Sequence, residues 1–504
     1  MNVFDPTNFG NDKNVTATSA DWVYRRIGVQ PIINCTGTRT NYGGSNPSPR
    51  VMDAISAASR HFVDLDELAE AAGAYIAKLT GAQWGIVSAG STAALALATA
   101  ACIAGNDPEA MLRLPHTHDL SSDAIIIKSH RFPYDTAIRH VGGTIVEVAD
   151  QCELTNALSN RPAIICVLGR AEAAGFIRLE NLRDQAPNIP IVVDAASLAP
   201  TSPDIWLARG ADLVIYSGGK CIRGPQSTGF LIGREDLCRA AWLNGPPHHA
   251  VGRAMKVGKE EIVGALTALE DWLSNGSRDI DQYNSLLKII VEQLRDVPIA
   301  AHIDRPDGTI VPRLSLSWTN DVALTGAYIC GFAFDRYRVK LQDFWATASS
   351  LLIDPLNIQS AAEAEIVGLS IAEAFRRSPL RSVGNQNVPK VHSNLSGTWK
   401  VEISYLATQA RHTFELTQLP DGTIEGLHHG RFGSSPILGR ILGSDVSLSS
   451  KMENDPMNIF FQFHGVIEGN SLAGAVSTGA AADEYASPSF RSQFGAATWT
   501  AVRI

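Results

Sequence analysis

The chain has 504 residues, 45% of them hydrophobic, with 42 Lys and Arg against 51 Asp and Glu, a net charge of −9 at pH 7. That apolar content excludes a disordered chain, and the acidic balance argues against a nucleic-acid partner, which needs a basic face. The seven cysteines are scattered with no CxxC, so free thiols in a reducing compartment are expected and no metal.

Residues 1–24 are polar and lack the basic and apolar runs of a signal peptide. The longest apolar stretch, Ala93–Gly105, is too short to span a bilayer. A cytoplasmic protein with no membrane partner is the expectation. RRIGVQPIINCTGTRTNYGGS follows at 25–45: a short strand (Pro31–Cys35) enters a loop that holds Arg39 and Asn41. Over 48–78, Val51, Ile55 and Ala58, then Leu65, Leu68, Ala72 and Ile76, recur at helical spacing. Next comes a strand, Trp84–Val87, running into Gly90, Ser91 and Thr92 at the start of an Ala/Leu-rich helix. Such a turn offers free backbone N–H groups to a phosphate, although Ser or Thr there is more often a simple cap. The strand Ala124–Lys128 ends in Ser129-His130-Arg131, and strands Thr144–Val148 and Ala163–Leu168 follow. Strands thus alternate with helices from 81 to 232, which argues for a mostly parallel, doubly wound sheet.

Residues 191–229, IVVDAASLAPTSPDIWLARGADLVIYSGGKCIRGPQSTG, organise the chain. Two apolar runs read as buried parallel strands. One ends in Asp194 and the other in Ser217-Gly218-Gly219-Lys220, so an acid and a lysine face one crevice at the carboxyl edge of the sheet. Alone, Lys220 reads as a solvated loop lysine and Asp194 as a helix cap. Together they suit pyridoxal 5'-phosphate (PLP): an amine to join the cofactor aldehyde as a Schiff base, and an acid to keep the pyridine nitrogen protonated.

VVDAAS, GADLVIYSGGK and GPQSTGFLIG resemble the fold-type I PLP enzymes, within them the group of selenocysteine synthase and D-glucosaminate-6-phosphate ammonia-lyase. The resemblance covers roughly residues 25–380 and implies the PLP-dependent transferase fold: a large domain (46–275) with a mostly parallel sheet, an α+β small domain (276–380), and an N-terminal segment (1–45). It implies that Lys220 holds the cofactor, that Asp194 meets the ring nitrogen, and that His130 stacks on the ring and shuttles protons. It places Gly90, Ser91 and Thr92 round the phosphate, with Ser217 and Ser197 as further cofactor contacts. Arg39, Asn41 and Arg313 are candidate substrate contacts. Arg253 and Lys256 are candidates to reach the cofactor phosphate of a neighbouring subunit, so at least a homodimer is implied. The expected reaction is elimination from an amino acid or amino-sugar acid, giving a keto acid and ammonia. Racemase or aminotransferase chemistry, or a non-catalytic binding protein, stays open.

The texture changes after a polar linker, 381–394. From 395 to 504, short alternating pieces such as Gly397–Tyr405 are separated by turns such as PDGT and LGSD. They read as an antiparallel barrel or sandwich, faintly like lipocalins, with no polar cluster that suggests chemistry, so a structural or interaction role is expected.

Overall fold

A computed structural model describes residues 22–275, 280–306, 310–319, 324–342, 346, 349–377, 394–453, 458–480 and 497–504. The linker and most of the N-terminal arm lie outside the described residues. The chain divides into two compact units, one within Met1–Gly37 and Asp279–Val383, the other within Thr38–Arg278 and Gly384–Ile504.

The second unit holds a seven-stranded sheet. Its strands are β1 (Trp84–Ser88), β2 (Asp123–Ile127), β3 (Thr144–Val148), β4 (Ile164–Leu168), β5 (Ile191–Asp194), β6 (Leu213–Ser217) and β7 (Gly229–Gly233). They lie in the order β1-β7-β6-β5-β4-β2-β3. Only β7 is antiparallel, to β1 on one side and β6 on the other; the remaining pairs are parallel. The central strands are buried at every residue, which is why they read as unbroken Ile/Val/Leu runs rather than alternating ones. The helix Ser91–Ala104 is buried almost all round, and its alanines let it lie close on β7 and β6. Parallel pairing brings the ends of β2, β4, β5 and β6 to one edge, so Lys128–His130, Gly169–Ala174, Asp194 and the Ser217–Lys220 turn share that edge.

The first unit has a three-stranded antiparallel sheet: β8 (Ala300–Asp304), β9 (Arg313–Ser317) and β10 (Ser350–Ile353), with β9 in the middle. The helices Ile280–Glu292, Gly326–Tyr337 and Ala361–Arg377 complete its core through residues such as Leu287, Ile290, Ile329 and Ile371. Ile33–Asn34, the short strand expected after Pro31, pairs in parallel with Val339–Lys340.

Eight further strands close a barrel: β11 (Gly397–Ser404), β12 (Gln409–Gln418), β13 (Thr423–His429), β14 (Ser434–Leu442), β15 (Asp445–Met452), β16 (Ile459–Glu468), β17 (Ser471–Ala480) and β18 (Ala497–Arg503). Each pairs antiparallel with its sequence neighbour, and β18 returns to β11. Of the barrel or sandwich expected, the chain forms the barrel. Trp399, Phe414, Phe463 and Trp499 fill it. No helix among the described residues is long and apolar enough to cross a membrane.

Candidate active site

The lysine turn is held from both sides. The Gly218 N–H donates to the Thr228 carbonyl (2.8 Å), and the Gly224 N–H to the Gly218 carbonyl (2.8 Å). Any Cβ at Gly218 would lie 2.1 Å from Thr228 Oγ1, on a threonine with no exposed surface. Glycine there is a requirement of close approach, because β6 and β7 pinch together where the turn begins. From the N-terminal side, Ser45 donates through its N–H to the Gly219 carbonyl (3.1 Å) and through Oγ to the carbonyls of Gly219 (3.0 Å) and Lys220 (2.6 Å). Gln226 donates to the Thr40 carbonyl (2.8 Å). The 40–46 segment is therefore stitched to the lysine turn. Arg39 lies half-buried just before this segment, and Asn41 is exposed within it.

Burial pushes the Lys220 ammonium below the ordinary lysine value; Asp194 and Cys221 oppose that shift, and Arg170 adds to it. Burial also raises the Asp194 carboxyl, against the Ala196 N–H, Lys220 and Arg170, which all favour its charged form. The Ala196 N–H donates to Asp194 Oδ1 at 2.9 Å. Lysine and acid thus feel one another, as neighbouring strand ends require. Arg170 acts on both, and sequence reasoning missed it. The signal was available: Leu168 is the register partner of Asp194, and Arg170 comes two residues later.

His130 has no exposed surface. Neither ring nitrogen makes a hydrogen bond of normal geometry among the described residues, although the nearby Ala171 backbone favours the protonated ring. Burial outweighs this and pushes the imidazole down, toward its neutral form. A small cavity lined by Leu95, Phe132 and Cys166 has His130 and Asp194 in its wall. Gly175 presses close: a Cβ there would stand 3.0 Å from His130 Nε2. The loop carrying Gly175 is tied down by Glu172, which accepts from the Leu179 N–H (3.0 Å) and pairs with Arg209 (2.7 Å).

The helix Ser91–Ala104 begins at Gly90 with no side-chain cap, so the first-turn N–H groups of Ser91 and Thr92 are left for another acceptor. The β7 residue Gly229 packs directly on this turn, where a Cβ would come 2.5 Å from the Ser91 nitrogen. Ser217 is half-buried at the end of β6, and Ser197 is exposed in the turn after Asp194. Three of the other expected residues are not gathered here by any described contact. Arg313 belongs to the first unit, where its Nε lies 3.6 Å from Asp354 Oδ2, and Gly37 packs on the same carboxylate. Arg253 and Lys256 are exposed ahead of the helix Lys259–Asn275. No metal-binding group of three or more His, Cys, Asp or Glu occurs among the described residues.

No family model matches the chain. Among curated proteins, D-glucosaminate-6-phosphate ammonia lyase of Salmonella typhimurium is 32% identical over 265 residues, 50% of this chain and 70% of that protein. The 5'-C-glycyluridine monooxygenase-decarboxylase of a Streptomyces species is 30% identical over 369 residues, 68% of this chain and 90% of that protein. A solved structure of D-glucosaminate-6-phosphate ammonia-lyase superposes with a TM-score of 0.64 at 25% identity, covering 71% of this chain and 98% of the other. The chain belongs to the fold-type I PLP enzymes, in the group of that ammonia-lyase and the selenium transferases.

As a family member it is an enzyme, and its residues fit the family cofactor. A buried imidazole with unmatched nitrogens, an uncapped helix start and a partly buried amine near a buried acid are what a flat, phosphorylated aldehyde would use.

Proposed function

We propose that the chain is a PLP-dependent lyase acting on an amino acid or amino-sugar acid. In this reading, Lys220 is the cofactor attachment point. Asp194 faces the ring nitrogen, and His130 lies against the ring. Gly90, Ser91 and Thr92, with Ser217, receive the phosphate, and Ser197 meets either the phosphate or the ring hydroxyl. The observation that carries the proposal is the pairing of a buried acid with a lysine whose ammonium burial disfavours, at adjacent strand ends.

PLP, when bound, supplies an electron sink beside the substrate α-carbon. The chain supplies the proton handling. Burial shifts Lys220 toward its neutral amine, the form that can take the α-proton, and in this reading Lys220 takes it once the substrate amine has displaced it from the cofactor. The β-substituent then leaves with the electron pair of its own bond, as hydroxide or thiolate. Hydrolysis gives a keto acid and ammonia. His130, whose neutral form burial favours, helps to shuttle a proton at the reacting face. Arg39, Asn41 and Arg313 are proposed substrate contacts. Arg253 and Lys256 are proposed to meet the phosphate of a second subunit in a homodimer, which their exposure allows.

The Streptomyces relative matches more of this chain than the ammonia lyase does, and its name describes oxidative decarboxylation. That favours a second reading, loss of the carboxyl group with consumption of oxygen. Incubation with a panel of D- and L-amino acids and amino-sugar acids separates the two: ammonia with a keto acid supports the lyase, carbon dioxide with oxygen uptake the alternative. Lys220→Ala tests both at their root. Loss of the cofactor's visible absorbance and of turnover is expected. Retention of both would sink the assignment.

A further inference from the structure

The barrel interior is apolar at one end and polar at the other. Its strands contribute His412 (β12), His428 (β13), Ser435 (β14) and Ser450 (β15), all buried. His412 Nδ1 stands 2.6 Å from His428 Nε2, His428 Nδ1 stands 2.8 Å from Ser450 Oγ, and Ser450 Oγ stands 2.8 Å from Ser435 Oγ. Four adjacent strands are thus bridged by one hydrogen-bonded chain at the end where β13 turns into β14. His428 has no exposed surface and packs edge-on against Phe414, Phe461 and Phe463, with ring centroids 4.9, 5.1 and 5.5 Å away.

Such a chain is not needed to fill a barrel. Buried polar groups cost desolvation, and apolar residues of like shape are often as stable. What it adds is sensitivity to protons. The contact between the rings needs one hydrogen, and two facing N–H groups cannot share it. The inward neighbours Phe414, Ser435, Ser450, Met452, Phe461 and Phe463 carry no charge that could stabilise an imidazolium. The charge that acts on His428 besides His412 is that of His429, next to it on the same strand and 3.3 Å from Glu415 through its Nε2, while Arg411 and Lys451 flank His412 and Ser450 on their strands.

We propose that the His412–His428 pair is a proton-operated latch, holding the polar end of the barrel shut at neutral pH and releasing it under mild acid. Burial disfavours the charged form of both rings, and His428 also feels the His412 and His429 charges; it is pushed down to about 3. Both folded-state shifts run downward. The opened state therefore binds more protons, and stability present above about pH 6.5 is lost as pH falls below it. A histidine that stays neutral in the closed barrel contributes roughly a tenfold change in the opening equilibrium at pH 5.5, which His428 meets, and His412 adds to it in the same direction.

The test is hydrogen exchange by mass spectrometry on the full chain, corrected for the intrinsic rate. Between pH 7.5 and 5.5, protection of peptides spanning 409–418 and 423–429 is expected to fall ten- to a hundredfold, while β4–β6 stay protected. In the double substitution His412→Phe with His428→Phe that fall is expected to vanish. A flat wild-type profile, or an equal fall in the double variant, overturns the proposal. Should the double variant not fold, exchange at the His428 ring carbon in the wild-type protein decides: a titration midpoint at or above about 6.5 overturns it.

Discussion

Gly218→Ala tests whether the lysine is aimed by backbone packing or merely carried on a loop. The new methyl would meet Thr228 Oγ1 at 2.1 Å, and Thr228 Cβ and O at 3.1 Å. Thr228 cannot swing away easily, because it is fully buried and its Oγ1 donates to the Pro225 carbonyl at 2.7 Å. Nor can the turn slide, since Gly218 N–H and C=O and the Gly219 carbonyl are all engaged. Overpacking of this kind costs about 1–3 kcal/mol, and each backbone hydrogen bond lost in relieving it costs about 1 more. Because Lys220 follows by two residues, the strain falls on the amine's position. Cofactor affinity, titrated by visible absorbance, is expected to drop by roughly 5- to 150-fold, the factor that 1–3 kcal/mol represents. Thr228→Ala removes the closest clash, so the pair Gly218→Ala with Thr228→Ala is expected to regain part of the loss, a non-additive result. The reasoning fails if Gly218→Ala binds cofactor within about twofold of wild type, or if Thr228→Ala deepens the damage.

His130→Phe is expected to stabilise the cofactor-free protein by about 1–3 kcal/mol in urea denaturation, because neither buried ring nitrogen makes a hydrogen bond of normal geometry among the described residues, while turnover falls. A comparable loss of stability would mean that the ring is held for structure. Asp194→Asn removes the charge that holds the Lys220 pKa up, so the pH midpoint for acylating Lys220 in stripped protein should move down, not up. The loaded variant should lose roughly 10²–10³-fold in kcat, as when one fixed electrostatic partner of a transition state is removed.

The parts of the site legible in the sequence are those where backbone geometry restricts the residue. Gly218-Gly219-Lys220 after an apolar run, and Asp194 after another, could be read because buried parallel strands have one polar end and that end faces the ligand. Arg170 and Ser45 were not singled out for opposite reasons. Arg170 sits at an equally predictable strand end, but an exposed arginine after a glycine carries no pattern of its own. Ser45 acts on a turn 174 residues away through Gly219, a pairing that only the folded chain supplies. Arg313 is proposed as a substrate contact on the resemblance alone: its strand pattern does not announce a site, and the ion pair it makes is with Asp354 of its own unit, 3.6 Å from its Nε.

The barrel makes the same point more sharply. Alternation gave its strands, because each needs only its own residues to declare an inward and an outward face. Its polar end was missed, because His412, His428, Ser435 and Ser450 come one from each strand and look like isolated polar lapses in apolar rows. Register turns them into neighbours: His428 pairs across to Ser435, and Ile437, two residues on, pairs with Ser450. A polar lapse on an inward position costs stability wherever it stands alone. Four of them on adjacent strands, joined by hydrogen bonds, are a shared feature whose cost is recovered only if the set acts together. Substituting Ser450 alone should therefore disturb His428 more than a change at Ser447, a half-buried position on the opposite face of the same strand.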